Sequence, residues 1–293
     1  MFRRAGPLSL TIALAGCSLF VLDEGEYSGG RDVTADSGSD ATDDAMLDAA
    51  AGPDVTEGDA GADPDAGGTS RYADAVLADG PILYLRFGEK SGSAAKAVVG
   101  PDATYGVTGF ALGSPGALAG DDDSAVTLTD GAGRITVPSG FAFEETVPFS
   151  VEIWAKPAAA NTNLGFVADH TTYGEADRRG WSLFVGSGGV AYDRWATPEI
   201  RTSLREPALT TNQWHHVVGT YDGTTQRLYA DGVRIAQVTS SVKIPSRPSV
   251  LIIGNQSCDC SGGNAFIGTL DELAIYDKAL TDAQIAAHLA AAK

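Results

Sequence analysis

The stretch W-H-H-V-V-G-T-Y-D-G-T-T-Q-R-L-Y-A-D-G-V-R-I-A, from Trp214 to Ala236, decides the fold. Asp222-Gly223 and Asp231-Gly232 each put a glycine able to take φ > 0 between runs that alternate apolar and polar residues, which predicts chain reversals between antiparallel strands. A second segment, F-I-G-T-L-D-E-L-A-I-Y-D-K-A-L from Phe266 to Leu280, reads as a further strand. After it, Thr281-Asp282-Ala283-Gln284 forms an N-cap and capping box opening an alanine-rich helix, with Ile285 and Leu289 expected to pack it on the strands.

Working outward, the remaining candidate strands are Ala125 to Thr129, Arg134 to Pro138, Phe149 to Lys156, Leu164 to Ala168, Trp181 to Gly186, Val190 to Arg194 and Val250 to Gly254. Within the two opening segments they are Trp214 to Tyr221, Arg227 to Ala230, Val233 to Val238 and Thr269 to Tyr276. Many short strands with glycine-rich turns describe a sandwich, and the 223 residues from Arg71 to Lys293 suffice for one with a sizeable core.

These segments resemble the laminin G-like jelly-roll family of the concanavalin A-like lectin and glucanase superfamily. Matches in the same order extend the resemblance: P-I-L-Y-L-R-F-G-E (Pro81 to Glu89), S-P-G-A-L (Ser114 to Leu118), F-S-V-E-I-W-A-K-P (Phe149 to Pro157) and G-W-S-L-F-V (Gly180 to Val185). The resemblance implies an all-β, two-sheet antiparallel jelly-roll sandwich with a short C-terminal α-helix. It implies binding or scaffolding rather than catalysis and says little about the ligand, because one fold hosts many functions.

The N-terminal region is of another kind. Arg3 and Arg4, an apolar run from Leu8 to Leu14 and the closing L-A-G-C read as a secretory signal over residues 1–16, too short to span a bilayer of about 30 Å. Cys17 in L-A-G-C resembles a bacterial lipoprotein box, which implies that Cys17 becomes the lipidated first residue; the other reading is a soluble secreted protein that loses Cys17. Ser18 after it resembles the pattern for transfer to an outer membrane, with surface display.

From Ser18 to Ser70, fourteen acids face the single base Arg31, a net −13. Setting these residues, Arg3 and Arg4 aside leaves −7 of the whole-chain −18 for Arg71 to Lys293. Such a segment cannot bury enough apolar surface to offset its ordering entropy, so residues 17–70 are expected to form a disordered acidic stalk with a contour on the order of 170 Å. Asp63, Asp65, Gly68 and Asp74 fall at EF-hand loop positions, but Gly67 occupies a ligand position. With no basic stripe to neutralise phosphates, the composition argues against nucleic acid, and membrane attachment rests on the lipid anchor alone. The domain of residues 71–293 is expected to be monomeric.

The catalytic motifs of the superfamily are missing. The glucanase strand E-x-D-x-x-E does not occur; Glu152 stands alone in V-E-I-W, and alternation sends the adjacent Asp271 and Glu272 to opposite faces. G-x-S-x-G, H-E-x-x-H and C-x-x-C are absent as well, so the chain reads as a non-enzyme that binds a ligand; the alternatives are a structural envelope component without a specific ligand and a divergent glycoside hydrolase. His215 and His216 begin a strand and read as hydrogen-bonded structural residues; His170 and His288 show no evident partner.

The resemblance further implies a structural calcium ion near the terminal strands, with Glu89, Asp102 and Asp271 as ligands. The alternative is that Glu89 and Asp271 form hydrogen bonds or ion pairs that lock those strands. Cys258 and Cys260 in C-D-C sit about 6.5 Å apart if extended, near the upper limit for a disulfide. For a glycan, or an envelope or extracellular protein, the candidate contacts are Tyr173, Arg178 and Trp195, an aromatic-plus-basic set typical of sugar-lining surfaces. Trp154 and Trp181 follow the strand pattern into the core.

The leader gives the first testable expectation. Labelled palmitate enters the wild-type protein, and Cys17→Ala releases it from the membrane fraction; a wild-type chain that takes up no label contradicts the lipoprotein reading.

Overall fold

Asp231 and Gly232 take φ values of 51° and 78°, the left-handed pair that a two-residue hairpin turn requires. A Cβ at Gly232 would meet Leu289 Cδ2 at 2.7 Å, so the turn is also a close approach to the C-terminal helix. This hairpin belongs to a computed structural model that describes residues 71–138, 140–158, 164–171, 178–186, 189–206, 208–247, 250–255 and 265–293. Cys17, Tyr173, Cys258, Cys260 and the acidic stretch expected to be disordered lie outside the described residues.

In chain order the elements are α1 (Arg71–Ala78), β1 (Leu83–Leu85), β2 (Ala94–Ala95), β3 (Ala97–Val99), β4 (Ala103–Tyr105), β5 (Phe110–Pro115), β6 (Ser124–Leu128) and β7 (Ile135–Val137). There follow β8 (Phe149–Pro157), β9 (Leu164–Thr171), β10 (Arg179–Gly186), β11 (Gly189–Trp195), β12 (Arg201–Arg205), β13 (His215–Tyr221), β14 (Thr225–Ala230), β15 (Val233–Thr239), β16 (Leu251–Ile253), β17 (Gly268–Tyr276) and α2 (Asp282–Ala291). All the expected strands are present, their ends within one to three residues of the sequence reading. The sequence strand list lacked β1 to β5 and β12, and α1 was not foreseen.

The strands form two antiparallel sheets, a jelly-roll sandwich. The nine-stranded sheet runs β15-β14-β13-β8-β17-β1-β3 with β6 joining β17 and β5 joining β6; the eight-stranded sheet runs β12-β11-β10-β9-β16-β7-β4-β2. Alternation sends Val151, Ile153 and Ala155 of β8, Val217 and Tyr221 of β13, and Leu183 and Tyr192 of β10 and β11 into the layer between the sheets, where Trp181 also lies fully buried.

A second apolar cluster covers the outer face of the nine-stranded sheet. Tyr72, Ala73 and Val76 of α1 and Ile285 of α2 pack there on Tyr84, Trp154, Val218, Tyr229, Ala274 and Tyr276, with Leu289 at the margin. The capping box of α2 forms as expected: Thr281 Oγ1 accepts from Gln284 N at 3.3 Å, and Thr281 N donates to Gln284 Oε1 at 2.9 Å. Among the described residues no helix is long and apolar enough to cross a membrane.

Inside this helix-covered layer lies a charged network. Glu152 of β8 has no exposed surface. Its Oε2 accepts from His216 Nε2 at 3.1 Å and His288 Nδ1 at 3.0 Å, and its Oε1 accepts from the Tyr276 hydroxyl. His288 Nε2 also donates to Asp79 Oδ2 at 3.0 Å, so both ring nitrogens face carboxylates, which only the doubly protonated imidazolium satisfies. The sequence reading that left His288 without a partner is corrected here: its partners lie 136 and 209 residues away in the chain.

Burial acts to raise the Glu152 pKa, but the bonds from His216 and His288 outweigh it and hold the carboxyl at about 2. Burial likewise favours a neutral His288, and Glu152 and Asp79 overcome it, raising its pKa above 6.5.

These shifts fix the direction of the pH dependence. The depressed carboxyl stabilises the fold above about pH 4.5, a contribution lost as pH falls toward 2; the raised histidine stabilises below about pH 6.5, a contribution lost as pH rises through its folded pKa. His288→Ala leaves the buried Glu152 carboxylate short of a partner and is expected to cost about 3 to 5 kcal/mol. Denaturant titrations at pH 6 and pH 9 check this: the wild type loses more stability over that interval than the variant, and equal losses contradict the assignment.

Candidate ligand-binding face

The opposite outer face of the sandwich is built by β10, β11 and β12. Leu183, Tyr192 and Leu204 point inward, so alternation turns Ser182, Phe184, Asp193, Trp195, Arg201, Ser203 and Arg205 outward. Register aligns them in three cross-strand rows: Gly180–Trp195–Arg201, Ser182–Asp193–Ser203 and Phe184–Ala191–Arg205. Backbone pairing sets His170 of β9 opposite Gly180, on the first row.

Each aromatic of this face carries a guanidinium. The Arg178 guanidinium lies 5.4 Å from the Trp195 ring centre, and that of Arg205 lies 5.2 Å from the Phe184 ring centre. Between them Asp193, 1% exposed, accepts from the Ser203 hydroxyl and pairs with Arg205 Nη2 at 3.4 Å. Burial pushes the Asp193 pKa up against the opposing pull of Ser203, Arg205, Arg201 and Arg178. A cavity of about 110 Å³ opens beside this row, lined by Arg178, Trp195, Pro198 and Arg201. The β11–β12 turn that shapes it is closed by Ala196 N to Ile200 O at 2.8 Å and by Ile200 N to Thr197 Oγ1 at 3.1 Å.

Two of the three residues singled out for ligand contact, Arg178 and Trp195, therefore adjoin; Tyr173 lies outside the described residues. Trp195 is 1% exposed, so its ring forms part of the floor of the cavity. Arg201 and Arg205 were not singled out. The alternation of R-T-S-L-R around Leu204 was the available signal.

The carboxylates expected to share calcium are otherwise engaged. Glu89 accepts from Lys96 N at 2.6 Å and the Tyr105 hydroxyl at 2.7 Å; Asp102 accepts from Lys96 Nζ at 2.6 Å and Ala97 N at 2.9 Å. Asp271 Oδ2 accepts from Ala117 N at 2.8 Å, while its buried Oδ1 has no hydrogen-bond partner. A β-bulge alters the expected geometry at Asp271 and Glu272. The pairing of β17 with β8 shifts between Asp271 and Ala274, and Glu272 takes φ 51°, so both acids end on the outer side instead of opposite faces.

Next to Asp271 in sequence, Glu272 belongs to a cluster of three acids around a cation, Arg86. Arg86 Nε lies 2.9 Å from Glu272 and 3.0 Å from Asp123, and its Nη2 lies 2.5 Å from Asp121, while the Tyr84 hydroxyl donates to Glu272. Burial pushes both the Asp271 and Glu272 carboxyls above their usual range. Among the described residues no three His, Cys, Asp or Glu side chains are grouped to hold a metal. Glu89, Asp102 and Asp271 are thus each engaged by protein donors, and hydrogen bonds with the Arg86 pairs tie the terminal strands.

A larger groove, about 370 Å³, lies at the start of α2 between Asp222, Arg227, Tyr229, Arg234 and Leu280 to Asp282. Its charges are internally matched: Arg227 pairs with Asp222 at 2.7 Å, and Asp282 takes Arg234 at 3.4 Å and the Tyr229 hydroxyl at 2.6 Å. That leaves the β10–β12 face as the stronger candidate.

Comparison with known proteins agrees with this architecture. Residues 129–286 match the laminin G-type family of the concanavalin A-like lectin/glucanases superfamily, and the chain belongs to that family. No curated protein matches it. The fold is similar to the binding domain of botulinum neurotoxin serotype D, at TM-score 0.54 and 16% identity over 72% of this chain and 52% of that one. It is also similar to the binding domain of Paraclostridial mosquitocidal protein 1, at 0.52 and 17% over 73% and 52%. A third similar fold is domain 4 of AbnA, an extracellular arabinanase of Geobacillus stearothermophilus, solved with arabinotriose, at 0.51 and 19% over 73% of this chain and 98% of that one. The chain thus spans about half the length of the two toxin binding domains.

Arg86→Ala is expected to destabilise the domain by about 3 to 5 kcal/mol by leaving buried acids unpaired, with partial recovery as acid pH protonates them. Thermal melts of variant and wild type check this. The wild-type melting temperature should be equal in calcium and in excess chelator, and a fall of several degrees on chelation contradicts the assignment of the cation's role to Arg86.

Proposed function

We propose that the domain is a non-catalytic carbohydrate-binding module, displayed from the cell envelope on a lipid-anchored acidic stalk. One observation carries the reading: the β10–β12 face gathers arginines, aromatic floors and a small cavity on a rigid sheet, while both described helices lie on the other sheet. Its similarity to an arabinanase domain solved with arabinotriose gives the same direction. A second ligand class, an extracellular or envelope protein, is favoured by the similarity to toxin binding domains.

The non-enzymatic part rests on the acids. Glu152 is sealed beneath the helices with a pKa of about 2, and Asp271 and Glu272 are buried around Arg86. A general acid for glycoside cleavage must reach the glycosidic oxygen, and none of these three is open to a polysaccharide.

A glycan array on the chain from Arg71 to Lys293 tests the reading. Binding to at least one glycan is expected, and Arg178→Ala should weaken it about thirtyfold, about 2 kcal/mol, at an unchanged melting temperature. An array without binding removes the carbohydrate reading. Sustained release of reducing ends from a bound polysaccharide removes the non-catalytic one.

A further inference from the structure

Arg178, Arg201 and Arg205 surround one carboxylate, Asp193, which is 1% exposed and already held by Ser203 and Arg205. Among the described residues, three guanidiniums thus stand around a carboxylate that presents almost no surface to solvent, and the adjoining turn adds one exposed acid, Glu199, which accepts from the Thr197 hydroxyl. The excess of positive charge stands in a domain whose sequence from Arg71 onward is net −7, so it is a local concentration against the overall balance. The arginines are also positioned. Arg178 and Arg205 lie over Trp195 and Phe184, contacts that hold a guanidinium at a ring and reduce the freedom lost on binding.

Spacing narrows the ligand. Arg201 and Arg205 point from the same side of β12 four residues apart, about 13 Å along a strand. One carboxylate or sulfate cannot bridge that distance, whereas a chain with repeating anionic groups can. Arg178 and Arg201 share the lining of a single cavity, so they converge on one group, while Arg205, half-exposed and with only Nη2 on Asp193, has its remaining N–H groups for the next. Guanidinium groups suit planar or multi-oxygen anions because they donate two parallel hydrogen bonds.

We propose that this face binds an anionic polysaccharide, with Arg178 and Arg201 taking one carboxylate or sulfate group and Arg205 taking another further along the same chain. This rests on the carbohydrate-binding reading and specifies the charge of its ligand. Because the arginines carry the affinity, binding weakens steeply with added salt.

The test uses the full chain carrying Cys17→Ala, titrated with polygalacturonate, the same polymer methyl-esterified, heparin, desulfated heparin, dextran and poly-glutamate. Binding to polygalacturonate or heparin, at least tenfold weaker for the corresponding neutralised form, is the expected result, and the arm that binds distinguishes a uronate from a sulfate ligand. Arg201→Ala and Arg205→Ala should each lower that affinity about tenfold, while Arg234→Ala at the far groove leaves it unchanged. Equal binding of charged and neutral glycans overturns the inference and leaves the carbohydrate reading standing; no binding of any glycan overturns both. Poly-glutamate binding as tightly as the glycans, or Arg234→Ala weakening binding as much as Arg201→Ala, overturns it in favour of an acidic polypeptide or of diffuse charge attraction.

Discussion

A carboxylate with no exposed surface, Glu152, organises one whole side of this molecule. Taking an ion out of water costs several kcal/mol unless its oxygens are paired, and here the partners come from three elements besides its own strand: His216 from β13, Tyr276 from β17 and His288 from α2. His288 carries the link on to Asp79 just after α1, and Gln284 of the α2 capping box donates to that same carboxylate. Both helices are thereby held to the nine-stranded sheet by charge as well as by Tyr72, Val76 and Ile285. The proposed recognition surface lies on the sheet behind this network.

Much of the fold was legible because hairpin chemistry and strand alternation are local. Asp231-Gly232 announces its turn in two residues, and Thr281 with Gln284 announces a helix start in four. The strands missing from the list fail for equally local reasons. β2, β3 and β4 are two or three residues long, too short to show a period; β5 is F-A-L-G-S-P, with a glycine and a proline inside it; β12 has one apolar residue, Leu204.

Much less of the candidate site was legible, because it depends on distance in space. His288 looked solitary since its partners lie far along the chain, and the outward pair Asp271–Glu272 arises from a bulge that strict alternation cannot anticipate. Trp195 stands out in the sequence as an aromatic among polar residues, and only the fold shows that it is buried under Arg178. What the sequence did contain, unread, was R-T-S-L-R: two arginines four apart whose side only the register of β12 against β11 reveals.

Family membership limits the architecture but leaves chemistry to individual side chains. The Glu152–His288 network serves the helix-covered sheet, and Arg178, Arg201 and Arg205 stand on the other. Amide hydrogen exchange measured with and without the tightest ligand from the glycan array tests this division directly. Protection concentrated in β10, β11, β12 and the 196–200 turn, with α1, α2 and the Asp222–Asp282 groove unchanged, is the predicted result. Protection centred on the helices or that groove would contradict the account.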